Sequence, residues 1–208
     1  MDITSFAVNM IGTMAFAISG AAAAMRKKFD IFGVAMLGVT TAVGGGFIRD
    51  LVLGNVPPVA LIKPVYTITA IVCSVLAFLP AIRNRVGQNN IMFDRLMFFM
   101  DSVGLAAFTT TGVVFAFVRG YESLFVSLFV GVVTGVGGGV LRDIFSNEPP
   151  YIFRKHIYAC AAAAGAITTH LLYGWLGPIP ATIIGFIEII VIRFLSAYYR
   201  WNLPVAEE

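Results

Sequence analysis

The stretch Val43-Gly44-Gly45-Gly46-Phe47-Ile48-Arg49-Asp50 recurs as Val136-Gly137-Gly138-Gly139-Val140-Leu141-Arg142-Asp143, each copy inside an otherwise apolar segment. Three consecutive residues without a side chain cost a helix about 1 kcal/mol apiece relative to alanine. In a bilayer an interrupted helix frees carbonyl and N–H groups, which survive only where they are buried in protein or line a watery path. The paired triplets therefore point to a pathway through a membrane protein.

Composition agrees with a membrane setting. Of 208 residues, 59% are apolar and 12% charged, and the mean hydropathy is +0.89; a soluble domain is about a quarter charged. The net charge of +3 is spread between apolar runs and forms no basic stripe, so lipid headgroups account for it better than nucleic acid. Cys73 and Cys160 both lie in apolar runs without metal-ligand spacing and read as buried small residues. The chain begins Met1-Asp2-Ile3-Thr4 with no basic n-region, so the first apolar run is expected to be a retained span.

Apolar runs measured against the ~20 residues needed to cross the hydrocarbon give about seven spans: 3–25, 31–53, 65–82, 96–118, 124–145, 157–173 and 180–199. Charge and turn chemistry separate them, at Arg26-Lys27-Lys28, Pro57-Pro58, residues 83–90, Pro149-Pro150 and Trp175-Leu176-Gly177-Pro178. The internal match runs well past the triplets. Asn9, Gly12, Phe16, Ser19 and Gly20 correspond to Asp101, Gly104, Phe108, Thr111 and Gly112, and Pro57-Pro58, Lys63 and Tyr66 to Pro149-Pro150, Lys155 and Tyr158 after a one-residue gap. The chain thus reads as one all-α transmembrane domain over residues 1–208. Repeat one spans 3–82, repeat two 92–173, and an extra helix 180–199 stands outside the symmetry. An odd number of spans per repeat inverts the second copy in the membrane. Arg26, Lys27, Lys28, Arg83, Arg85, Arg154, Lys155 and Arg200 fall on one side, against little beyond Lys63 and Arg119 on the other. By the positive-inside rule the N-terminus is expected outside and the C-terminus in the cytoplasm, with Tyr198, Tyr199 and Trp201 as an interfacial anchor.

On the pathway reading the second and fifth helices kink or unwind at Gly44, Gly45, Gly46 and Gly137, Gly138, Gly139. Their freed carbonyls suit a partly dehydrated cation, and their half-helix N-termini an anion or carboxylate. The alternative is that small residues merely let helices cross closely. The symmetric recurrence, each triplet followed at the same distance by Arg-Asp, favours the pathway, and leucine at Gly45 or Gly138 is then expected to harm function more than expression. Arg49, Asp50, Arg142 and Asp143 must pair or face water at that depth. Sequence neighbours point about 100° apart on a helix, so partners on another helix are expected. These four residues, with Asp101 and Thr110, are candidates for the pore mouth or gate; the competing roles are structural pairing for the charges and carbonyl satisfaction for the threonines. Glu188 and Arg193 are read as an interhelical or intersubunit pair and His170 as a packing residue. No Ser/His/acid arrangement, metal spacing or phosphate loop occurs, so neither an enzyme nor a cofactor is expected.

With two GGG-x-x-R-D segments in the second and fifth of seven spans, essentially the whole chain resembles the prokaryotic trimeric intracellular cation (TRIC) channels. That resemblance implies a homotrimer in a bacterial or archaeal cell membrane, each protomer with its own hourglass pore for monovalent cations, mainly potassium. It makes the six triplet glycines the kink positions beside the pore. The phosphoinositide sites of animal relatives find no matching motif. Bacterial sequences of this kind are also labelled glycine transporters, a reading that broken helices in inverted repeats accommodate. A third reading, a packing protein, treats the glycines as helix-crossing surface only.

Overall fold

The computed structural model describes residues 3–80, 90–153 and 157–201. The basic residues Arg83, Arg85, Arg154 and Lys155, and the end of the expected third span at 81–82, lie outside them.

Helix α1 (Ile3–Arg26) is followed by α2 (Ile31–Val52), whose first turn is capped by Asp30 accepting from the Gly33 N–H at 2.7 Å. A short α3 (Val59–Ile62) leads into α4 (Val65–Phe78). The second set is α5 (Asn90–Val118), α6 (Leu124–Phe145), a 3-10 turn (Tyr151–Phe153) and α7 (Tyr158–Leu176), and α8 (Pro178–Tyr198) closes the chain. Helices α2 and α6 stop alike, with Gly54 (φ 66°) and Asn147 (φ 52°) in the left-handed conformation that satisfies the last carbonyls. Gly177 (φ 81°) and Pro178 at the first helical position separate α7 from α8.

Six of these helices are long and apolar enough to cross a membrane, and α4 is a shorter apolar helix. At 14 residues α4 reaches only about 21 Å, short of a hydrocarbon core of roughly 30 Å. Pro64 and the α3 turn take up residues before it, so the third element of repeat one enters as a turn and then a short helix.

Helices α1, α2 and α4 pack together as one set and α5, α6 and α7 as the other; α1 meets α5, α2 meets α6, and α8 lies on α5 and α7. Contacts between the sets come in reciprocal pairs, as a twofold requires. A Cβ on Gly104 would enter the Phe16 ring, and one on Gly12 would sit 3.3 Å from the Phe108 ring. The two rings meet with centroids 5.4 Å apart. Much of the remaining interior is alanine, including Ala17, Ala42, Ala70, Ala106, Ala161 and Ala162, so helix backbones approach closely, as they do where lipid supplies no hydrophobic drive. Large apolar residues such as Ile68, Val72, Leu76, Ile184 and Ile187 face outward, the distribution of a chain solvated by acyl tails.

Both triplets are helical throughout, which corrects the expected unwinding: α2 runs unbroken from Ile31 to Val52 and α6 from Leu124 to Phe145. The physical reason is the crossing of these two helices. A Cβ on Gly45 would collide with the Thr134 carbonyl oxygen, and one on Gly138 with the Thr41 carbonyl oxygen. A Cβ on Gly137 would lie 3.1 Å from the Gly45 Cα. The close contact, with helix hydrogen bonds intact, offsets the propensity cost of the glycines.

Candidate functional site

Two cavities lie at opposite ends of α1, and the first reaches the α2 glycine triplet at Gly46. The first, of about 470 Å³, lies beside the start of α1 and the end of α2, among Asn9, Gly46, Arg49, Tyr66, Thr111 and Phe115. The second, of about 280 Å³, lies beside the end of α1 and of α6, among Arg26, Lys27, Asp94, Asp143, Ser146 and Glu148. Phe108 and Ala42 line the floor of the first. Behind them Phe16, fully buried, would lie 2.9 Å from a Cβ on Gly138. The waist is therefore apolar and backbone-tight, while each cavity sets charged side chains among apolar ones.

The six triplet glycines divide by role. Gly44, Gly45, Gly137 and Gly138 abut the opposite helix, at Leu141, Thr134, Ile48 and Thr41. Gly46 lines the first cavity, and among the described residues, its own helix backbone aside, the nearest atom to its missing Cβ is Arg49 Nη2 at 3.8 Å. Gly139 holds the equivalent place in repeat two, but Tyr158 Oη at 3.0 Å and Asp101 Oδ1 at 3.4 Å fill the space there.

The Arg-Asp pairs differ in part from expectation, for only Arg142 also finds the expected carboxylate on another helix, that of Asp101. In each, the arginine binds its own neighbour: Arg49 Nε and Nη2 donate to Asp50 Oδ1 at 2.9 and 2.8 Å, and Arg142 Nε donates to Asp143 Oδ1 at 2.8 Å. The long guanidinium side chain bends across the 100° between adjacent positions, and at 7% and 1% exposure the arginines meet little water to compete. The second carboxylate oxygen of each aspartate accepts a backbone N–H from the segment after its helix, Val59 at 2.7 Å and Tyr151 at 2.8 Å. The repeated Arg-Asp is thus a staple that fixes where each connecting segment begins.

Neither Asp101 nor Arg142 lines either of these two cavities. Arg142 Nη1 donates to Asp101 Oδ1 at 2.7 Å and to Ser19 Oγ at 2.6 Å. Arg193, fully buried on α8, places Nη2 3.6 Å from Asp101 Oδ2 and donates from Nε to Ser102 at 3.3 Å. Its guanidinium also lies 4.7 Å from the Phe98 and Tyr158 ring centroids, within cation–π range. The extra helix is therefore tied to repeat two by a charge cluster, in which Arg193 makes an interhelical pair with Asp101. Thr110 faces away from the cavity as well: its hydroxyl donates to Ala106 O at 2.9 Å and its methyl would lie 3.2 Å from a Cβ on Gly185. Its neighbour Thr111 lines the cavity instead and donates to Asn9 Oδ1 at 3.1 Å. Phe115, whose ring centroid lies 4.0 Å from the Arg49 guanidinium carbon, escaped sequence reasoning because an aromatic in an apolar run carries no local signal. Asn9 and Tyr66 were legible only as repeat matches. Imidazole stacking of His170 on Phe117, at 5.0 Å, agrees with a packing role.

A family model described as "Glycine transporter" matches in two parts, residues 6–81 and 98–174, which bracket the two repeats. A "UPF0126 membrane protein" of Deinococcus radiodurans is 41% identical over 95% of this chain and 90% of its own length. The "UPF0126 inner membrane protein YadS" of Escherichia coli is 37% identical over 95% and 93%. Among solved structures, a prokaryotic TRIC channel in 0.5 M KCl superposes with a TM-score of 0.88 at 31% identity, covering 98% of this chain and all of that one. The Rhodobacter sphaeroides TRIC orthologue gives 0.84 at 32%, covering 96% of this chain and 100% of that one, and another TRIC cation channel gives 0.85 at 36%, covering 97% and 96%. Full-length likeness in both sequence and fold, with two helix sets meeting at paired glycine triplets, means that this chain is a multi-pass membrane protein belonging to the prokaryotic TRIC channel family.

Proposed function

We propose that the chain forms a cation channel, mainly for potassium, with one conduction path in each protomer of a homotrimer. The observation that carries this reading is the pair of cavities with charged linings at opposite ends of α1, the first of which reaches the α2 triplet at Gly46. The likeness to TRIC cation channels over the full chain supports it. On the positive-inside orientation the first cavity is the outer vestibule, the second is the inner one, and the membrane is a bacterial or archaeal inner membrane. The apolar waist of Phe16 and Phe108 makes this conformation the closed one, since a dewetted constriction stops ions without a plug. Opening bends α2 and α6 at Gly44–Gly46 and Gly137–Gly139, the residues of lowest helix propensity in each, and draws Phe108 away from Phe16. Gly46, Arg49, Asp50 and Thr111 line the outer path and Asp143 the inner; Asp101, Arg142 and Thr110 act as scaffold.

The second reading, a carrier of a small zwitterion such as glycine, is favoured by the description of the matching family model and by the neighbouring Arg49, Lys63 and Asp50 in one cavity. Recording purified protein in planar bilayers under a KCl gradient separates the two. Discrete openings that reverse near the potassium potential support the channel. Saturable glycine uptake into proteoliposomes without openings supports the carrier.

A further inference from the structure

The pseudo-twofold leaves the two halves with unequal charge, and the inequality falls on two matched positions. On the inner side Lys27 Nζ donates to Glu148 Oε1 at 2.5 Å. On the outer side the counterpart contact runs from Arg119 Nη2 to Asn55 Oδ1. Backbone geometry confirms the match: the Asn55 N–H donates to Asp50 O at 2.7 Å, and the Glu148 N–H to Asp143 O at 2.9 Å. Likewise Asp101, which holds Arg142, corresponds to Asn9. Two carboxylates of the inner half are thus amides in the outer half, while the basic residues stay.

The outer cavity is lined by Arg49, Lys63 and Arg119 against the single carboxylate of Asp50, which the Arg49 guanidinium and the Val59 N–H already hold. Among the described residues no carboxylate comes within ion-pair distance of Lys63 or Arg119. At about 470 Å³ the cavity falls in the size range of small-molecule sites. Apolar Val114, Phe115 and Val118 share the wall with the cationic groups, so it offers both a charged end and an apolar one.

We propose that the outer vestibule binds a small organic anion, a short-chain carboxylate whose head pairs with Lys63 and Arg119 and whose apolar body lies against Val114, Phe115 and Val118. Charge-assisted hydrogen bonds from guanidinium and ammonium are the strong class of polar contact for such a head. Its consequence, that the occupant neutralises a surplus which otherwise opposes cation entry, rests on the channel reading; the binding itself does not.

The test is thermal unfolding of the purified full-length protein in detergent, with sodium butyrate, sodium phosphate or sodium chloride at equal ionic strength, for the wild type, Asn55→Asp and Lys63→Gln. Asn55→Asp is isosteric and restores a carboxylate beside Arg119; the melting point of each variant in chloride reports its folding. A ligand that binds only the folded state raises the melting point, by about 3 °C at ten times its Kd for a chain of this size. Butyrate is expected to give that rise in the wild type and to lose it in both variants. No rise in the wild type, or an equal rise in all three, overturns the site, and a rise with phosphate alone overturns the carboxylate assignment. Currents from the same preparations keep the two readings apart: butyrate binding without potassium currents sinks the channel and leaves the site, and currents without butyrate binding do the reverse.

Discussion

At the scale of single residues, the glycines of one triplet are not equivalent, and this yields a prediction that composition could not. A methyl group at Gly45 or Gly138 meets a carbonyl oxygen of the opposite helix. Overpacking of that kind costs about 1–3 kcal/mol, so Gly45→Ala and Gly138→Ala should lower stability and yield as well as function. A methyl at Gly46 meets no atom closer than 3.8 Å. Alanine there removes a glycine helix penalty of about 1 kcal/mol, so Gly46→Ala should fold at least as well as the wild type while narrowing the outer path. Melting curves of the three variants in detergent check both statements. The expectation that leucine at Gly45 or Gly138 harms function more than expression is replaced by one in which folding fails too. The sequence singled out these positions, but a triplet that unwinds and one that docks against another backbone have the same letters. Only the Thr41 and Thr134 carbonyls opposite them distinguish the two.

At the scale of elements, the extra helix α8 is fastened to repeat two through Arg193, Asp101 and Arg142, all at most 3% exposed. Removing one partner of a buried charge cluster strands the others and costs about 3–5 kcal/mol. Asp101→Ala should therefore destabilise strongly, and Asn9→Ala, at the matched position in repeat one and with no ion pair among the described residues, should cost far less; chemical denaturation of the two side by side is the check. The Phe16–Phe108 contact gives a prediction of opposite sign. Phe108→Leu removes part of the waist for about 1–2 kcal/mol of packing and should raise unitary conductance or open probability, read in single-channel records. Helix positions were legible because each is a long apolar run closed by charge, proline or glycine. The exception is the third element, where Pro64 and the α3 turn precede a helix of only 14 residues. The Arg-Asp staple was misjudged because the angle between neighbouring side chains ignores the reach of a guanidinium in a dry site.

At the scale of the whole molecule, the inverted repeat was readable from the matched residues, and the reciprocal contacts across α2 and α6 give it a physical form. What one sequence could not carry was the imbalance between the halves, because Asn9 and Asp101, or Asn55 and Glu148, acquire meaning only when their partners are placed around two cavities. Assembly belongs to this scale too: the protein–detergent complex should contain three times the 22.4 kDa chain mass, measured by light scattering with the detergent contribution subtracted. The central claim, that ions cross each protomer between the two vestibules, is tested most directly by single-channel recording of purified wild type and Gly46→Ala under a KCl gradient. Discrete currents reversing near the potassium potential, with smaller unitary size in the folded Gly46→Ala variant, are the predicted result. A silent wild type that instead takes up glycine saturably, or currents untouched by Gly46→Ala, would contradict it.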